Sequence, residues 1–204
     1  MSSSRECSPA APDEARTRIE QIADAALRRF ARYGFKRSSM DDIAREASLA
    51  KATLYLHFKG KDDVFRAMIE RFGARVARLS EAVMARPLPF PEKLEALMLA
   101  QFGASYAAFG DGEHLAELKA VMASIALREI QAFEGIFTAN ATMLLTEAAA
   151  KGEIALGSLA PGAIVETLSQ AAIGAKMGQP PALETYEARL RQIAALAAQA
   201  VAKR

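Results

Sequence analysis

Apolar side chains recur at three- and four-residue intervals along most of the chain, the spacing with which an amphipathic α-helix buries one face. The first such pattern begins near Pro12 and ends at Gly34, a residue that suits a helix terminus. The pattern then predicts two short helices, 39–47 and 51–58, and a long helix over 61–84. No segment alternates apolar and polar residues as strands do, so the chain is predicted to be all-α.

Three prolines between residues 87 and 91 interrupt the pattern and mark one clear loop. Beyond it the sequence predicts five more helices, over 92–109, 113–125, 127–150, 161–176 and 183–202. The predicted organisation is a short tail over 1–12, a three-helix domain over 13–60, and a larger helical domain over 61–204 that begins with the long helix.

The charge of the chain is unevenly distributed. The net charge is only +2, but residues 1–86 carry 17 basic and 12 acidic side chains, whereas residues 87–204 carry 9 and 12. A basic N-terminal part on an acidic body favours a module that binds a polyanion, although such asymmetry also arises by chance.

Several classes of protein are not expected from the composition. The longest uncharged run, 96–110, is shorter than the ~20 apolar residues of a membrane span, and the N-terminus lacks the apolar stretch of a signal peptide. We therefore expect a cytoplasmic protein without membrane contacts. One cysteine and two histidines make no plausible metal site, and no cofactor is expected. The glycine-rich, nucleophile-elbow and zinc-binding motifs of common enzymes are absent, so an enzyme is not expected.

The two short helices and the three-residue turn between them match a helix-turn-helix unit. Ser39, followed three residues later by Asp42, predicts a capping box at the start of the first of them. The unit would bury Ile43, Ala47, Leu49, Leu54 and Phe58. Short amphipathic helix pairs also occur in ordinary α-helical bundles, so the spacing alone leaves that alternative open.

The opposite side of the second short helix is narrow and polar enough to enter the major groove of DNA, which is ~12 Å wide. That side carries Lys51, Ala52, Thr53, Tyr55, Leu56 and His57. Of these, Lys51 and Thr53 can contact base edges or phosphate, whereas Tyr55 and His57 can donate hydrogen bonds to phosphate oxygens. Lys61, at the start of the long helix, is expected to add a phosphate contact that the helix dipole assists.

The stretch 19–72 resembles the DNA-binding domain of TetR/AcrR-type transcriptional regulators, which is about a quarter of the chain. The resemblance is most specific at 51–61, Lys-Ala-Thr-Leu-Tyr-Leu-His-Phe-Lys-Gly-Lys, and continues through 30–35 and 38–47. It implies that the side chains at 51, 52, 53, 55 and 57 face operator DNA. It also implies that Ser38 or Ser39, together with Lys61, touches phosphate.

Three residues depart from the family pattern. Ser48 stands where the turn usually has glycine, so a left-handed backbone there is costlier. Ala50 replaces a usual serine cap and loses a capping oxygen worth ~1 kcal/mol. Leu56 replaces a common tyrosine and can contact a thymine methyl group.

The resemblance implies that the C-terminal domain binds a ligand and dimerises. Apolar side chains that could line a cavity for an apolar small-molecule effector are Met98, Phe102, Tyr106, Phe109, Met122, Phe133 and Phe137. Packing in the core is the alternative and is favoured for any single one of them. His114, Glu117 and Arg128 could set the polarity of such a cavity, although His114 is rather expected to be an exposed residue at a helix start.

The last two helices carry stripes of small residues that permit close helix packing. The candidates for a dimer interface are Ile164, Leu168, Ala172, Leu190, Ile193 and Ala197. A hairpin packed within the monomer is the alternative. A two-fold dimer is favoured because two copies can read half-sites about 34–36 Å apart and add their affinities.

These observations favour a homodimeric, sequence-specific DNA-binding regulator, expected to be a repressor that acts on a palindromic operator. Its expected partners are double-stranded DNA, a second copy of the chain and an apolar small molecule. The alternative is a helix-turn-helix protein without a small-molecule ligand, either constitutive or controlled by a protein partner.

Overall fold

The structure is a computed structural model that describes residues 12–109 and 114–203. Within these ranges the regular secondary structure is helical, apart from an isolated bridge between Ile154 and Ala202. The helices are α1 (Pro12–Tyr33), α2 (Met40–Glu46), α3 (Lys51–His57), α4 (Lys61–Ala85), α5 (Phe90–Met98), α6 (Ala104–Phe109), α7 (Leu115–Ile125), α8 (Leu127–Ala150), α9 (Pro161–Gly174) and α10 (Leu183–Ala200). The all-α prediction is confirmed. The predicted tail lies outside the described residues except for Pro12.

The segment predicted as one helix over 92–109 is instead divided. It starts at Phe90, with Pro91 in the first turn, and a π-helical turn at Leu99–Gly103 separates α5 from α6. Within that turn Gln101 is buried, and its Nε2 donates a hydrogen bond to the Phe133 carbonyl oxygen at 3.1 Å. A period of 3.6 residues cannot reveal such a turn, because the apolar positions continue through it.

The N-terminal helices share an aromatic core. The rings of Phe30, Phe35 and Phe65 lie 5.2 to 5.6 Å apart between centroids, and Leu54 of α3 is fully buried in the same cluster. This cluster does not end at the boundary predicted near residue 60, because it includes Leu118 of α7 as well. The N-terminal domain and the body are therefore packed together through one continuous set of apolar contacts.

A second core lies between α5, α6, α8, α9 and α10. At its centre the rings of Tyr106 and Tyr186 are 4.5 Å apart, and the Tyr186 hydroxyl donates to the Ala172 carbonyl oxygen at 2.9 Å. Burial, with the nearby Tyr106, raises the pKa of Tyr186 to about 12. This tyrosine therefore stays neutral and fastens α10 to α9 across the physiological range of pH.

The structure corrects the dimer-interface prediction. Leu168, Ala172 and Leu190 are buried within the protomer itself, so a second copy cannot cover them. Ile164, Ile193 and Ala197 are partly buried and pack against the same core. The small residues pack α9 and α10 against each other and the body, and a dimer interface on these two helices stays a prediction.

The structure divides the ligand-pocket candidates between the two cores. Met98, Tyr106 and Phe137 are buried in the body, and Phe102 packs against Phe137 with centroids 4.9 Å apart. Phe109 and Met122 instead pack against the N-terminal core, and Phe133 lies 5.7 Å from the ring of Phe72 on α4. They therefore do not all lie in one place, and the prediction that some of them line a cavity stays a prediction.

Across 12–109 and 114–203, no helix has the length and apolar character that a membrane span requires.

Candidate nucleic-acid interface

Helix α2 begins with the predicted capping box. The Asp42 N–H donates to Ser39 Oγ at 3.2 Å, and the Ser39 N–H donates to Asp42 Oδ2 at 2.9 Å. The Ser39 hydroxyl also donates to Asp42 Oδ2 at 2.7 Å, and this hydrogen bond and that of the Ser39 N–H, with the charges of Arg29 and Arg45, hold the pKa of the Asp42 carboxyl below its usual value. The cap fixes where α2 starts and hence the direction from which the turn enters α3.

The turn between α2 and α3 depends on a strained residue. Ser48 has φ of 54°, the left-handed region that favours glycine, as the sequence predicted. This conformation allows the Leu49 N–H to donate to the Ala44 carbonyl oxygen at 2.9 Å. Gln21 of α1 secures the turn from below, because its Nε2 donates to the Ala47 carbonyl oxygen at 2.7 Å.

Helix α3 has one buried and one open side. Leu54 is buried, and Ala50 provides no side-chain cap, as expected. Most of the residues assigned to DNA are open to solvent: Lys51, Ala52, Tyr55 and Leu56 are exposed, the last two to 49% and 76%. Thr53 and His57 are half-buried at the edges of this surface. The six residues thus lie around one exposed surface of α3.

Lys51 is held at the start of this surface by an ion pair. Its Nζ lies 2.7 Å from Asp41 Oδ1 of α2, and the Tyr55 ring centroid is 6.0 Å away. The hydrogen bond and the charge of Asp41 raise the pKa of Lys51. Lys51 is therefore cationic and positioned, but an incoming phosphate or base must compete with Asp41 for it.

The structure distinguishes the two serines expected at phosphate. Ser38 is buried, and its Oγ donates to the Gly34 carbonyl oxygen at 2.7 Å, so its hydroxyl is unavailable to DNA. Ser39 is exposed, although its hydroxyl also contacts Asp42. Of the two serines, Ser39 is therefore the one that remains a candidate for a phosphate contact.

Lys61 makes contacts inside the protein that the sequence did not predict. Its Nζ donates to the carbonyl oxygens of Phe35 and Ser38, at 2.8 and 2.9 Å, and lies 4.2 Å from the centroid of the Phe35 ring. Two of its three N–H groups are thus used inside the protein. Lys61 thus ties the start of α4 to the turn between α1 and α2, and its contact with phosphate stays a prediction.

The same turn is held from the body by a contact that the sequence analysis missed. The Lys36 N–H donates to Glu117 Oε1 of α7 at 2.6 Å, and the His114 ring packs beside it, only 12% exposed. Gly34 has φ of 80°, and a Cβ there would lie 2.6 Å from Glu117 Oε2. The positive φ therefore favours glycine at this junction, and a Cβ would also displace the Glu117 carboxylate. His114 is not the exposed residue that the sequence suggested.

Two further cations near the interface were also missed. The side chains of Lys36 and Arg37 are exposed beside the start of α2 and form no ion pair within 12–109 and 114–203. Basic residues in a turn have no periodic signal, so only their position relative to α3 makes them candidates. As for metals, the described residues bring no three His, Cys, Asp or Glu side chains together as ligands.

These features define a class. A capped α2, a tight turn and a short α3 with a buried Leu54 and an open polar side form a helix-turn-helix unit that rests on the long helix α4. Such a unit is a DNA-binding module.

Comparison with known proteins also indicates a DNA-binding module. Residues 22–68 match the family model described as bacterial regulatory proteins, tetR family. The fatty acid metabolism regulator protein of Bacillus subtilis is 35% identical over 69 residues, which are 33% of this chain and 36% of that protein. Residues 22–68 therefore form a DNA-binding domain of the tetR family of bacterial regulatory proteins.

Solved structures extend the similarity of fold to nearly the whole chain. A transcriptional regulator from Cytophaga hutchinsonii has a TM-score of 0.74 at 17% identity, covering 91% of this chain and 98% of that one. SmeT, the repressor of the Stenotrophomonas maltophilia multidrug efflux pump SmeDEF, has a TM-score of 0.65 at 20% identity, covering 91% of this chain and 90% of that one. The structure of the SmeT–triclosan complex has a TM-score of 0.66 at 19% identity, covering 92% of each chain. By sequence, however, the chain spans only about a third of the length of the curated relatives it matches.

Replacing Ser48 by glycine should stabilise the protein. Glycine adopts a positive φ without the Cβ clash that costs other residues roughly 1 to 2 kcal/mol, an advantage that its freer unfolded chain reduces. We expect S48G to raise the free energy of unfolding by about 1 kcal/mol, measured by urea denaturation. S48A, which keeps the Cβ, should give no such gain; an equal gain from both variants would show that the strain is not at this residue.

Proposed function

We propose that this protein is a homodimeric transcriptional repressor that binds a palindromic operator and releases it when an apolar small molecule binds the body. The observation that carries the proposal is the open surface of α3, with Lys51, Ala52, Tyr55 and Leu56 exposed above a buried Leu54. SmeT, which has a similar fold, is a repressor, and this supports the direction of control.

On this proposal the interface with DNA has two parts. The start of α3 faces the base edges, where Ala52 allows close approach and Leu56 is available to a thymine methyl group. Around it, Tyr55, Ser39 and the cation Arg37 contact phosphates and fix the orientation. Thr53 and His57 contact the DNA from the edges of this surface.

Dimerisation would use the outer faces of α9 and α10. Ile173, Met177 and Leu196 are exposed to 51%, 71% and 67%, which is unusual for large apolar side chains on the same helical hairpin. The buried stripe predicted from the sequence supports this surface from behind. A second copy that covers these side chains would bring two α3 helices onto one operator.

An effector site is supported by an unsatisfied group inside the body. Gln101 is 3% exposed, and its Oε1 has no hydrogen-bond partner, a costly state for a buried amide oxygen. It lies in the π-helical turn, a geometry that occurs frequently at functional sites. Beside it, Phe102, Phe133 and Phe137 supply apolar surface. A small apolar molecule with one hydroxyl or N–H donor fits this chemistry, and the triclosan complex of SmeT supports a ligand of this kind.

Helix α4 supplies the route from effector to DNA. Its first residue, Lys61, holds the turn that precedes α2, and further along Phe72 contacts Phe133 next to Gln101. Glu117 holds the same turn from α7. A ligand that moves Phe133 would therefore change the position of α4, and with it the spacing of the two α3 helices.

The alternative keeps the DNA-binding unit but has no small-molecule effector. A constitutive regulator, or one controlled by a protein partner, would have the same α3 surface, because nothing in that surface depends on the body's ligand. The two proposals differ only in what Gln101 and its neighbours do.

Substitutions on α3 should weaken DNA binding in two distinguishable ways. Operators are first selected from a random DNA pool, and a palindrome with half-sites one helical turn or a multiple apart is expected. On that DNA, K51Q should lose roughly 1 to 3 kcal/mol and relax one base position, whereas Y55F should weaken binding to all sequences by a similar factor. Affinity is measured by fluorescence anisotropy at several salt concentrations.

The matched control is K119Q, which removes an exposed lysine of α7. It should bind like the unmodified protein. If K51Q and Y55F also bind the selected operator normally, α3 is not the reading surface and the proposal fails.

Charge placed on the outer faces of α9 and α10 should separate the dimer. I173E combined with L196E puts carboxylates into the proposed apolar contact, so sedimentation velocity should show a monomer where the unmodified protein is a dimer. L127E changes an equally exposed leucine on α8 and should leave the dimer intact. A dimer that persists in the double variant would place the interface elsewhere.

A phenol should stabilise the protein through Gln101. A ligand that binds only the folded state adds about 2.7 kcal/mol at a concentration of 100 Kd. We expect 4-propylphenol to raise the melting temperature more than propylbenzene, which lacks the donor, and Q101M to remove the difference. Q131M on the exposed side of α8 is the control. No preference for the phenol in the unmodified protein would favour the regulator without an effector.

A further inference from the structure

A groove outside the body core runs between α1, α4 and α6. One part of it has a volume of about 450 Å³ and the adjoining part about 400 Å³, and both are bordered by Leu27 and Phe72. Phe72 and Val76 form a buried apolar floor, and Ala107 lies at the open rim. Binding sites for small molecules commonly have volumes in this range, about 300–1,000 Å³.

Four arginines and one aspartate border the wider part of the groove. Arg71 donates to Asp24 through Nε at 2.8 Å and a terminal nitrogen at 3.0 Å, so the negative charge of Asp24 is already balanced by an arginine. Arg28 pairs with Glu46, 2.9 Å away. Arg75 and Arg78 are exposed and form no ion pair with any residue that the structure describes. The groove therefore has a cationic rim above an apolar floor.

This charge is not placed to bind the operator. Arg75 and Arg78 follow Lys61 on the same helix by 14 and 17 residues, which puts them about 21 to 26 Å along α4 from the end that holds the helix-turn-helix unit. The excess of basic residues in the N-terminal part of the sequence is thus divided between two surfaces. One of them points away from DNA.

An apolar floor with free guanidinium groups at its edge selects a particular chemistry. An uncharged apolar molecule leaves the guanidinium groups without partners, and a small inorganic anion leaves the apolar floor in water. We infer that the groove binds an amphipathic anion, with an apolar chain over Phe72 and Val76 and a carboxylate paired with Arg75 and Arg78.

The position of the groove gives this ligand a regulatory role, which rests on the proposed function. One wall is α1 of the DNA-binding unit and the opposite wall is α4 with α6 of the body. An occupant therefore contacts both α1 and α4, which their shared core and the pairs of Arg71 with Asp24 and Glu20 hold together. This site is separate from Gln101.

The test measures binding by isothermal titration calorimetry with decanoate as the probe and decanol as its uncharged counterpart. Decanoate should bind the full-length protein, and decanol should bind at least tenfold more weakly. The double variant R75Q/R78Q should weaken decanoate binding tenfold or more, and A107W, which fills the rim without changing charge, should weaken it as well. K119Q removes an exposed lysine of α7 and should bind decanoate normally.

The inference is overturned if decanoate does not bind, if decanol binds equally well, or if R75Q/R78Q and A107W leave binding unchanged. Circular dichroism and melting temperature establish that each variant is folded. Operator affinity without ligand is measured separately on the same preparations. Normal operator binding with no decanoate site rejects only this inference, whereas loss of operator binding with an intact site rejects only the proposed function.

Discussion

A helix of seven residues has almost no stability in water, so α3 exists only because its buried side is held by the rest of the molecule. Leu54 provides that attachment: it is fully buried among the aromatic side chains of α1 and α4, and the turn before it is tied to α1 through Gln21. The exposed surface that the proposal assigns to DNA is thus positioned from beneath. Its own residues contribute little, since Ala50 gives no cap and Ser48 costs energy.

The turn between α1 and α2 is held from two directions. Lys61 binds two of its carbonyl oxygens from α4, and Glu117 accepts a hydrogen bond from the Lys36 N–H from α7. Both contacts use backbone groups of the turn, so they constrain its path whatever side chains it carries. Movement of either helix is transmitted directly to the start of α2, which makes the proposed coupling a matter of local geometry.

Much of the fold was predictable because its signals are local. Helix limits and the Ser39–Asp42 capping box follow from residues within one turn of each other, whereas the left-handed Ser48 was expected from the family resemblance. Contacts between distant segments were not predictable. Lys61 finds its acceptors 23 and 26 residues earlier, and no sequence spacing distinguishes that arrangement from a free lysine facing phosphate.

In the body, too, the sequence did not show which surfaces pack together. An apolar stripe that includes Leu168 and Ala172 indicates close helix packing but does not show that these residues pack in the protomer's own core. Phe109 and Met122 likewise read as body residues from their position in the chain, yet they pack against the N-terminal core. Periodicity identifies which side of a helix is buried, and only the tertiary structure shows against what.

The shared core has a consequence for how such proteins can be recombined. Because Leu118 of α7 completes the cluster that holds Leu54, a graft of the first 60 residues onto another regulator removes part of its foundation. A working chimaera has to carry α7 with the N-terminal helices, or a recipient helix that presents an equivalent leucine. The unit that can be exchanged is therefore discontinuous in sequence, and its limits are set by packing.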